Sequence, residues 1–568
     1  MHLRRTPLRS RPLAAALLAL LLQLPGLAIA IPEGPEYPSA EWTLRETENF
    51  ARMGAGVSEP VSNPALGIRW TTQSLANFET YLQRSVDDPS WTLSGAANVP
   101  VAPLCSTWSL PCTGDPFIYP DVDPVYDEAD VVPVVFYDRE CARLSGRVWA
   151  PKTGNGRPGI VIINGSIQAP ETLYWWAAKL LVRAGYTVMT FDPRGQGRSD
   201  NLAPGGEPGT NLNPSVFWEG LVDAIDFFRS SSVQPYPHNQ TCADTYPTVV
   251  TAFNPLGDRL DPSRLGIAGH SMGAAAVSIV QGYGATGADP WPGLLDSRNP
   301  VDAAVAWDAL GDPEHTINAN GLGALPSDSS GDLLDGSLLV GTPLGDFIRE
   351  TPGIDALLGG FTATPVPAVV PRVPALGFTS EYGFAIGPYT APPDPERFTR
   401  RALAAWQTAG IPAAEIVIAG STHLDFSLLP TFPATSWCPE TIDNACVGGW
   451  GRPMIEHYTL AWFDRWLKRD GEAGYADADA RLLADADWQA RYSFYYRSAR
   501  AFPDRSGKAH VCTDIRAGCA DLSVGADGSD GSDGGGAIGW PVLLLGTISA
   551  VLRRRRLRCR PVPAGKAA

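Results

Sequence analysis

The chain has 568 residues, a formal net charge of −16 and 44% apolar residues. That length holds one large domain with extensions, or two domains, and the apolar share is enough for a substantial core. The strongly negative balance argues against nucleic acid as a partner.

The first 30 residues have the pattern of a secretion signal. Arg4, Arg5, Arg9 and Arg11 form a basic region, Leu13 to Leu27 is apolar, and Ala28-Ile29-Ala30 offers a small-x-small cleavage site. The expected location is therefore beyond the inner membrane: periplasm, cell surface or medium. Residues 31–130 are rich in Pro, Ser, Asn and Asp with poor apolar periodicity. They suggest an irregular N-terminal extension wrapping the main domain, or a small separate module.

Nine cysteines are present, and three pairs sit close in sequence: Cys105 with Cys112, Cys438 with Cys446, and Cys512 with Cys519. None has the two-residue spacing of a zinc knuckle. Short loops of this kind point to disulfides in an oxidising compartment. Closing an eight-residue loop contributes roughly 2.5 kcal/mol in the chain-entropy model. Cys141 and Cys242 are left to pair with each other or with nothing. Cys559 falls outside the disulfide set.

The main domain is expected over 131–500. Val131–Tyr137 and Ala142–Ala150 suggest an antiparallel pair. Strand patterns follow at Gly159–Ile163, Tyr186–Phe191, Arg264–Ala268, Val301–Trp307, Val373–Ser380 and Glu415–Ala419. Helix patterns separate them at Thr172–Ala184, Val216–Phe228, Ala274–Val280 and Arg397–Ala409, with a closing helix at Met454–Leu467. Alternating strands and helices predict an α/β fold, with a mostly parallel, doubly wound sheet and helices on both faces. In such sheets ligands sit at the carboxyl ends of the strands. Residues 311–372 interrupt the pattern and are expected to be a lid or cap insertion.

One pentapeptide organises the domain: Gly269-His270-Ser271-Met272-Gly273, between a strand and a helix pattern. Gly-x-Ser-x-Gly in that context is a nucleophile elbow. The chain turns from strand to helix at the serine, and the flanking glycines leave room for the turn. The serine oxygen then stands at a helix N-terminus, where the dipole favours developing negative charge.

The order of strands, this elbow, the turn Phe191-Asp192-Pro193-Arg194-Gly195-Gln196-Gly197-Arg198-Ser199 and the late His423 resemble the α/β-hydrolase family over about 131–468. The likeness is to secreted esterases and lipases with a dienelactone-hydrolase-like core, although dienelactone hydrolases carry Cys where this chain has Ser271. The resemblance implies carboxylic-ester hydrolysis through a Ser-His-acid triad and an acyl-enzyme, on a small-molecule or polymeric ester, with no metal or organic cofactor. A peptidase or amidase of the same fold is the alternative enzyme, and a non-catalytic surface protein on this scaffold is the rival outside enzymes.

A serine hydroxyl needs a base. His423 follows the last strand and comes after the serine, as the chain order for this fold requires. His270 lies beside the nucleophile with its ring expected to point away. A histidine base must be neutral to work, and histidine ordinarily titrates near about 6.5, so activity is expected to fall on the acid side of neutrality. Three carboxylates compete to orient the base. Glu381 follows the strand before His423 and is the leading candidate; Asp308 ends the strand after the elbow, and Asp394 lies in the loop beyond Glu381. By analogy the oxyanion hole uses backbone N–H of Met272 and of Ser166 or Ile167. Arg194 suggests a structural turn residue on the sheet's edge. Tyr174, Trp175 and Trp176 either line an acyl pocket or bury their helix in the core.

After Tyr496 the sequence turns polar, and 501–536 suggests a disulfide-containing tail with a Gly/Ser/Asp linker. Residues 537–560 hold an apolar stretch followed by Arg553-Arg554-Arg555-Arg556. The sixteen residues of this stretch, 537–552, rise about 24 Å as a helix, a little short of a hydrocarbon core of about 30 Å. Glycines, a short apolar helix and a basic end resemble the GlyGly-type bacterial C-terminal sorting signals, with a permanent tail anchor as the alternative. Membrane contact is expected only through this helix. The pattern is silent on oligomeric state.

Overall fold

The computed structural model describes residues 36–47, 86, 125–165, 170–207, 209, 213–311, 366–382, 392, 399–427 and 451–519. The secretion signal, most of the N-terminal extension, the C-terminal apolar stretch, and the cysteines at 105, 112, 438, 446 and 559 lie outside them. So does the expected lid, apart from residues 311 and 366–372.

A ten-stranded mixed sheet carries the chain, in the order β1-β2-β4-β3-β5-β6-β7-β8-β9-β10. β1 (Ala129–Tyr137) pairs antiparallel with β2 (Arg143–Pro151), and β2 pairs antiparallel with β4 (Thr187–Phe191). From β4 the sheet runs parallel through β3 (Arg157–Ile163), β5 (Leu260–His270), β6 (Val301–Trp307), β7 (Ala375–Ser380) and β8 (Ala413–Ile418). This is an α/β fold. The parallel strands are apolar almost throughout because both of their faces are covered. Ile160 and Ile162 pack to one side of β3, and Val161 and Ile163 to the other.

The first of these two cores is closed by α1 (Trp175–Arg183) and, after the other helices, α5 (Gly451–Leu467). The second is closed by α2 (Ser215–Arg229), α3 (Met272–Val280) and α4 (Thr399–Thr408). The connection leaving β3 therefore crosses one face, and the connection leaving its neighbour β5 crosses the other. That divergence is a topological switch point, and the crevice it opens lies at the carboxyl ends of β3 and β5.

The sheet does not stop where the polar sequence begins. β9 (Ala499–Pro503) pairs antiparallel with β8, and β10 (Ala509–Cys512) pairs with β9. Residues 501–512, expected in a tail, thus belong to the domain, and a Cys512–Cys519 disulfide closes the edge. The second described disulfide, Cys141–Cys242, joins the β1–β2 turn to a segment 101 residues away, with Cα atoms 5.3 Å apart. A loop of that length contributes about 4.7 kcal/mol in the chain-entropy model. Arg194 is buried rather than at an edge. It pairs with Asp138 at 3.2 Å and donates to the Glu207 carbonyl. Residues 366–372 return to the sheet beside α3, where Gln281 donates to the Val370 carbonyl and Arg372 to the Val301 carbonyl. Among the described residues no helix is long and apolar enough to cross a membrane.

Candidate active site

Ser271 is the hinge between β5 and α3, with φ 58° and ψ −121°. A non-glycine residue held at such a φ costs about 1–3 kcal/mol, which the surrounding packing must sustain. The two glycines of the pentapeptide explain how. A Cβ at Gly273 would stand 2.6 Å from the Asn164 carbonyl oxygen, and one at Gly269 would collide with the carbonyl of Gly273. With side chains there, α3 could not start so close to the end of β3. The serine is the N-cap of α3, so Met272 opens the helix at the positive end of its dipole.

The register places its neighbours. The last β5–β6 pair is His270 with Trp307, so Ser271 and Asp308 are the next residues on adjacent strands. The Ser271 N–H donates to the Trp307 carbonyl at 3.0 Å. One strand further, Asp308 receives two bonds from Ser380, N–H to Oδ1 at 2.8 Å and O–H to Oδ2 at 2.7 Å. Its Oδ2 also lies 2.6 Å from His423 Nδ1. Burial alone would raise the Asp308 carboxyl. The bond and charge of His423, with the Ser380 bonds, outweigh it and hold the group at about 2. Asp308 is therefore ionised throughout the usual working range.

The expectation that Glu381 orients His423 is not met. Its carboxylate is buried and committed elsewhere: Oε1 accepts from Ser493 Oγ at 2.6 Å and from Phe494 N–H at 3.0 Å, and Oε2 accepts from Gly420 N–H at 2.6 Å. Burial raises its pKa, against the pull of these three bonds. Glu381 braces the stem of the His423 loop from behind. Beside it, Tyr382 Oη donates to Glu46 at 2.8 Å, and Tyr495 also bonds Glu46, so helix 40–47 docks against the same corner. Asp394 lies outside the described residues.

Ser166 and Ile167 also lie outside the described residues, but their stem does not. A Cβ on Gly165 would sit 3.1 Å from the Ser271 Cβ, so the end of β3 abuts the serine. Asp192 clamps this stem. It accepts from Asn164 Nδ2 at 2.9 Å, Glu171 N–H at 2.6 Å and Arg198 N–H at 2.9 Å. Burial, then the neighbouring Glu171, pushes its pKa up to about 7. A carboxyl whose folded pKa lies above its unfolded one stabilises fully below about pH 4 and loses that contribution as pH rises through 7. Thermal unfolding measured from pH 4.5 to 8 is expected to show a shallower decline for Asp192→Asn than for the wild type. Parallel curves would contradict this.

Tyr174, Trp175 and Trp176 are core residues, each at most 6% exposed. Two of them also brace the site. Trp176 Nε1 donates to the Phe426 carbonyl at 3.2 Å, holding the short helix His423–Phe426, and Arg452 stacks on the same indole at 4.1 Å. Tyr174 Oη accepts from Gly165 N–H at 3.0 Å and lies 2.8 Å from His270 Nδ1. His270 Nε2 lies 2.8 Å from the His423 carbonyl. Nothing in the residue types along the chain announces these contacts, since an aromatic after a strand is equally a core filler. Of the other described histidines, His457 bonds the Arg481 carbonyl and His510 bonds Asp504. Among the described residues no group of three His, Cys, Asp or Glu side chains is arranged to hold a metal.

No family model matches the chain. Two curated proteins are similar in part. A stretch of 154 residues is 28% identical to the thiohydrolase apmlB of Arthrinium phaeospermum, and 96 residues are 30% identical to the thiohydrolase aneE of Aspergillus aculeatus. These matches cover 27% and 17% of this chain, and 38% and 28% of the two fungal proteins. The chain thus spans well under half the length of either relative.

Proposed function

We propose that this protein is a serine hydrolase of the α/β-hydrolase fold that cleaves carboxylic esters, with thioesters a second substrate class. The observation that carries the proposal is the strained Ser271 at the switch-point crevice, one strand from an Asp308 carboxylate bonded to His423. Ser271 Oγ attacks the acyl carbon while His423 Nε2 takes its proton, because Nδ1 is committed to Asp308. The tetrahedral oxyanion is received by the Met272 N–H at the start of α3, with a second donor from Ser166 or Ile167. Such a donor lowers the barrier by roughly 3–4 kcal/mol. The imidazolium then protonates the leaving alcohol or thiol, and water reverses the sequence to free the acid. The thioester arm rests on the relatives' printed name alone; the attacking chemistry is the same, and a thiolate leaves more readily than an alkoxide. Two disulfides support work in an oxidising compartment outside the inner membrane.

The test is labelling by a fluorophosphonate, followed by p-nitrophenyl esters of rising chain length, an acyl thioester and an anilide, on protein lacking residues 1–30. Labelling at Ser271 with ester and thioester turnover, and an anilide at least about a hundredfold slower, is the expected result. A serine that does not label would remove the proposal, and an anilide turned over as fast as the ester would move the enzyme to the amidases.

A further inference from the structure

We propose that His270 is a positioning residue, tying the β3 stem to the loop that carries His423 through Tyr174 on one side and the His423 carbonyl on the other. The inference rests on the serine-hydrolase reading above and adds a residue to it.

The hydrogen-bond inventory leaves one arrangement. The His423 carbonyl oxygen, 2.8 Å from His270 Nε2, can only accept, so Nε2 carries a proton. In the neutral ring Nδ1 is then the acceptor, and the group 2.8 Å from it is the Tyr174 hydroxyl, which donates. The Tyr174 oxygen in turn accepts from the Gly165 N–H at 3.0 Å. The line runs Gly165 N–H to Tyr174 O–H to His270 Nε2–H to the His423 carbonyl, every proton pointing one way. Its two ends are the backbone that abuts Ser271 and the backbone of the proposed base.

The environment keeps the line in that state. His270 is 3% exposed, and its ring centroid lies 4.5 Å from that of His423. Burial first, then the charge of His423, hold the His270 pKa well below the usual histidine range. His270 therefore stays neutral while His423 gains and loses its proton, and the bond to the His423 carbonyl persists through the cycle. The His423 ring is held by Asp308 at its side chain and by His270 at its main chain. Two anchors fix both position and tilt, and a displacement near 1 Å at a reacting group costs on the order of 10² in rate.

The two amide replacements separate positioning from mere packing. A glutamine places its Nε2 near the imidazole Nε2 and keeps the donor to the His423 carbonyl. An asparagine reaches only the Nδ1 position, keeping the Tyr174 contact and losing the other. The readout is inactivation by a fluorophosphonate, resolved into a limiting rate and a half-saturating concentration. Thermal unfolding of each variant is measured alongside. For His270→Asn the limiting rate is expected to fall about 10- to 100-fold at unchanged half-saturation, while His270→Gln stays within about threefold of the wild type.

Equal losses for Gln and Asn, or limiting rates that simply follow the unfolding midpoints, would overturn the inference, as would wild-type rates for both. A wild-type protein that does not label at all instead sinks the serine-hydrolase reading, so the two failures are distinguishable.

Discussion

Asp308→Asn is expected to lower kcat by on the order of 10⁴ without unfolding the protein, while Glu381→Gln does the reverse, costing stability and leaving the rate within about threefold. The reason lies in which donors face each carboxylate. The Ser380 N–H points at Asp308 Oδ1 and cannot turn away. An asparagine must therefore keep its oxygen there and present its NH₂ in the Oδ2 position, against His423 Nδ1. The Ser380 hydroxyl can rotate to accept, so the amide fits. His423 Nδ1 is then forced to accept and the ring proton moves to Nε2, the nitrogen proposed to receive the proton of Ser271. That tautomer change is worth about 10⁴ in a serine triad.

Glu381 receives donors on both oxygens: the Gly420 N–H on one, and the Phe494 N–H with the Ser493 hydroxyl on the other. Either orientation of a glutamine sets an NH₂ against a backbone N–H in a buried site. Leaving such a group unsatisfied costs about 1–3 kcal/mol. Chemical denaturation and kcat on the best ester, measured for both variants, decide the matter. A dead Glu381→Gln beside a near-normal Asp308→Asn would return the acid to the later strand.

The two carboxylates also show how far the sequence reaches. The Ser271 turn is legible because its cause is local: two glycines and one strained residue within five positions. His423, the proposed base, stands out because few histidines follow the serine and this one comes just after the last parallel strand. The carboxylate beside His423 does not, since Asp308 and Glu381 both stand at carboxyl ends of parallel strands and one dimension cannot say which faces the histidine. The choice is made by contacts more than a hundred residues away in sequence, Asp308 to His423 and Glu381 to Ser493 and Phe494. Those last two residues lie inside the expected 131–500 domain but in no strand or helix pattern. β9 and β10 are hidden for the same reason. They are short, and Ala499, buried, and Ala501, half-buried, are placed by pairing with Glu415 and Ala413 rather than by an apolar pattern of their own.

Ser271→Ala is expected to abolish ester hydrolysis, with a loss in kcat approaching 10⁶, and Ser271→Gly to be equally dead yet more stable. In serine triads removal of the nucleophile alone costs about as much as removal of the whole triad, because the three residues act as one unit. The stability difference follows from the backbone. At φ 58° an alanine keeps the Cβ that makes this conformation costly, whereas glycine adopts it freely. Relief of strain is partly offset by the greater freedom of glycine in the unfolded chain, which leaves about 1 kcal/mol. In a chain of this size that corresponds to a rise of about 1 °C in Tm of the glycine variant over the alanine one. The comparison separates the two roles proposed for this one residue: its oxygen as the nucleophile, and its strained main chain as the support that holds that oxygen at the crevice. If Ser271→Gly melts below Ser271→Ala, the turn is not strained in solution, and the steric account of the two glycines falls with it. If either variant retains ester turnover, the nucleophile lies elsewhere.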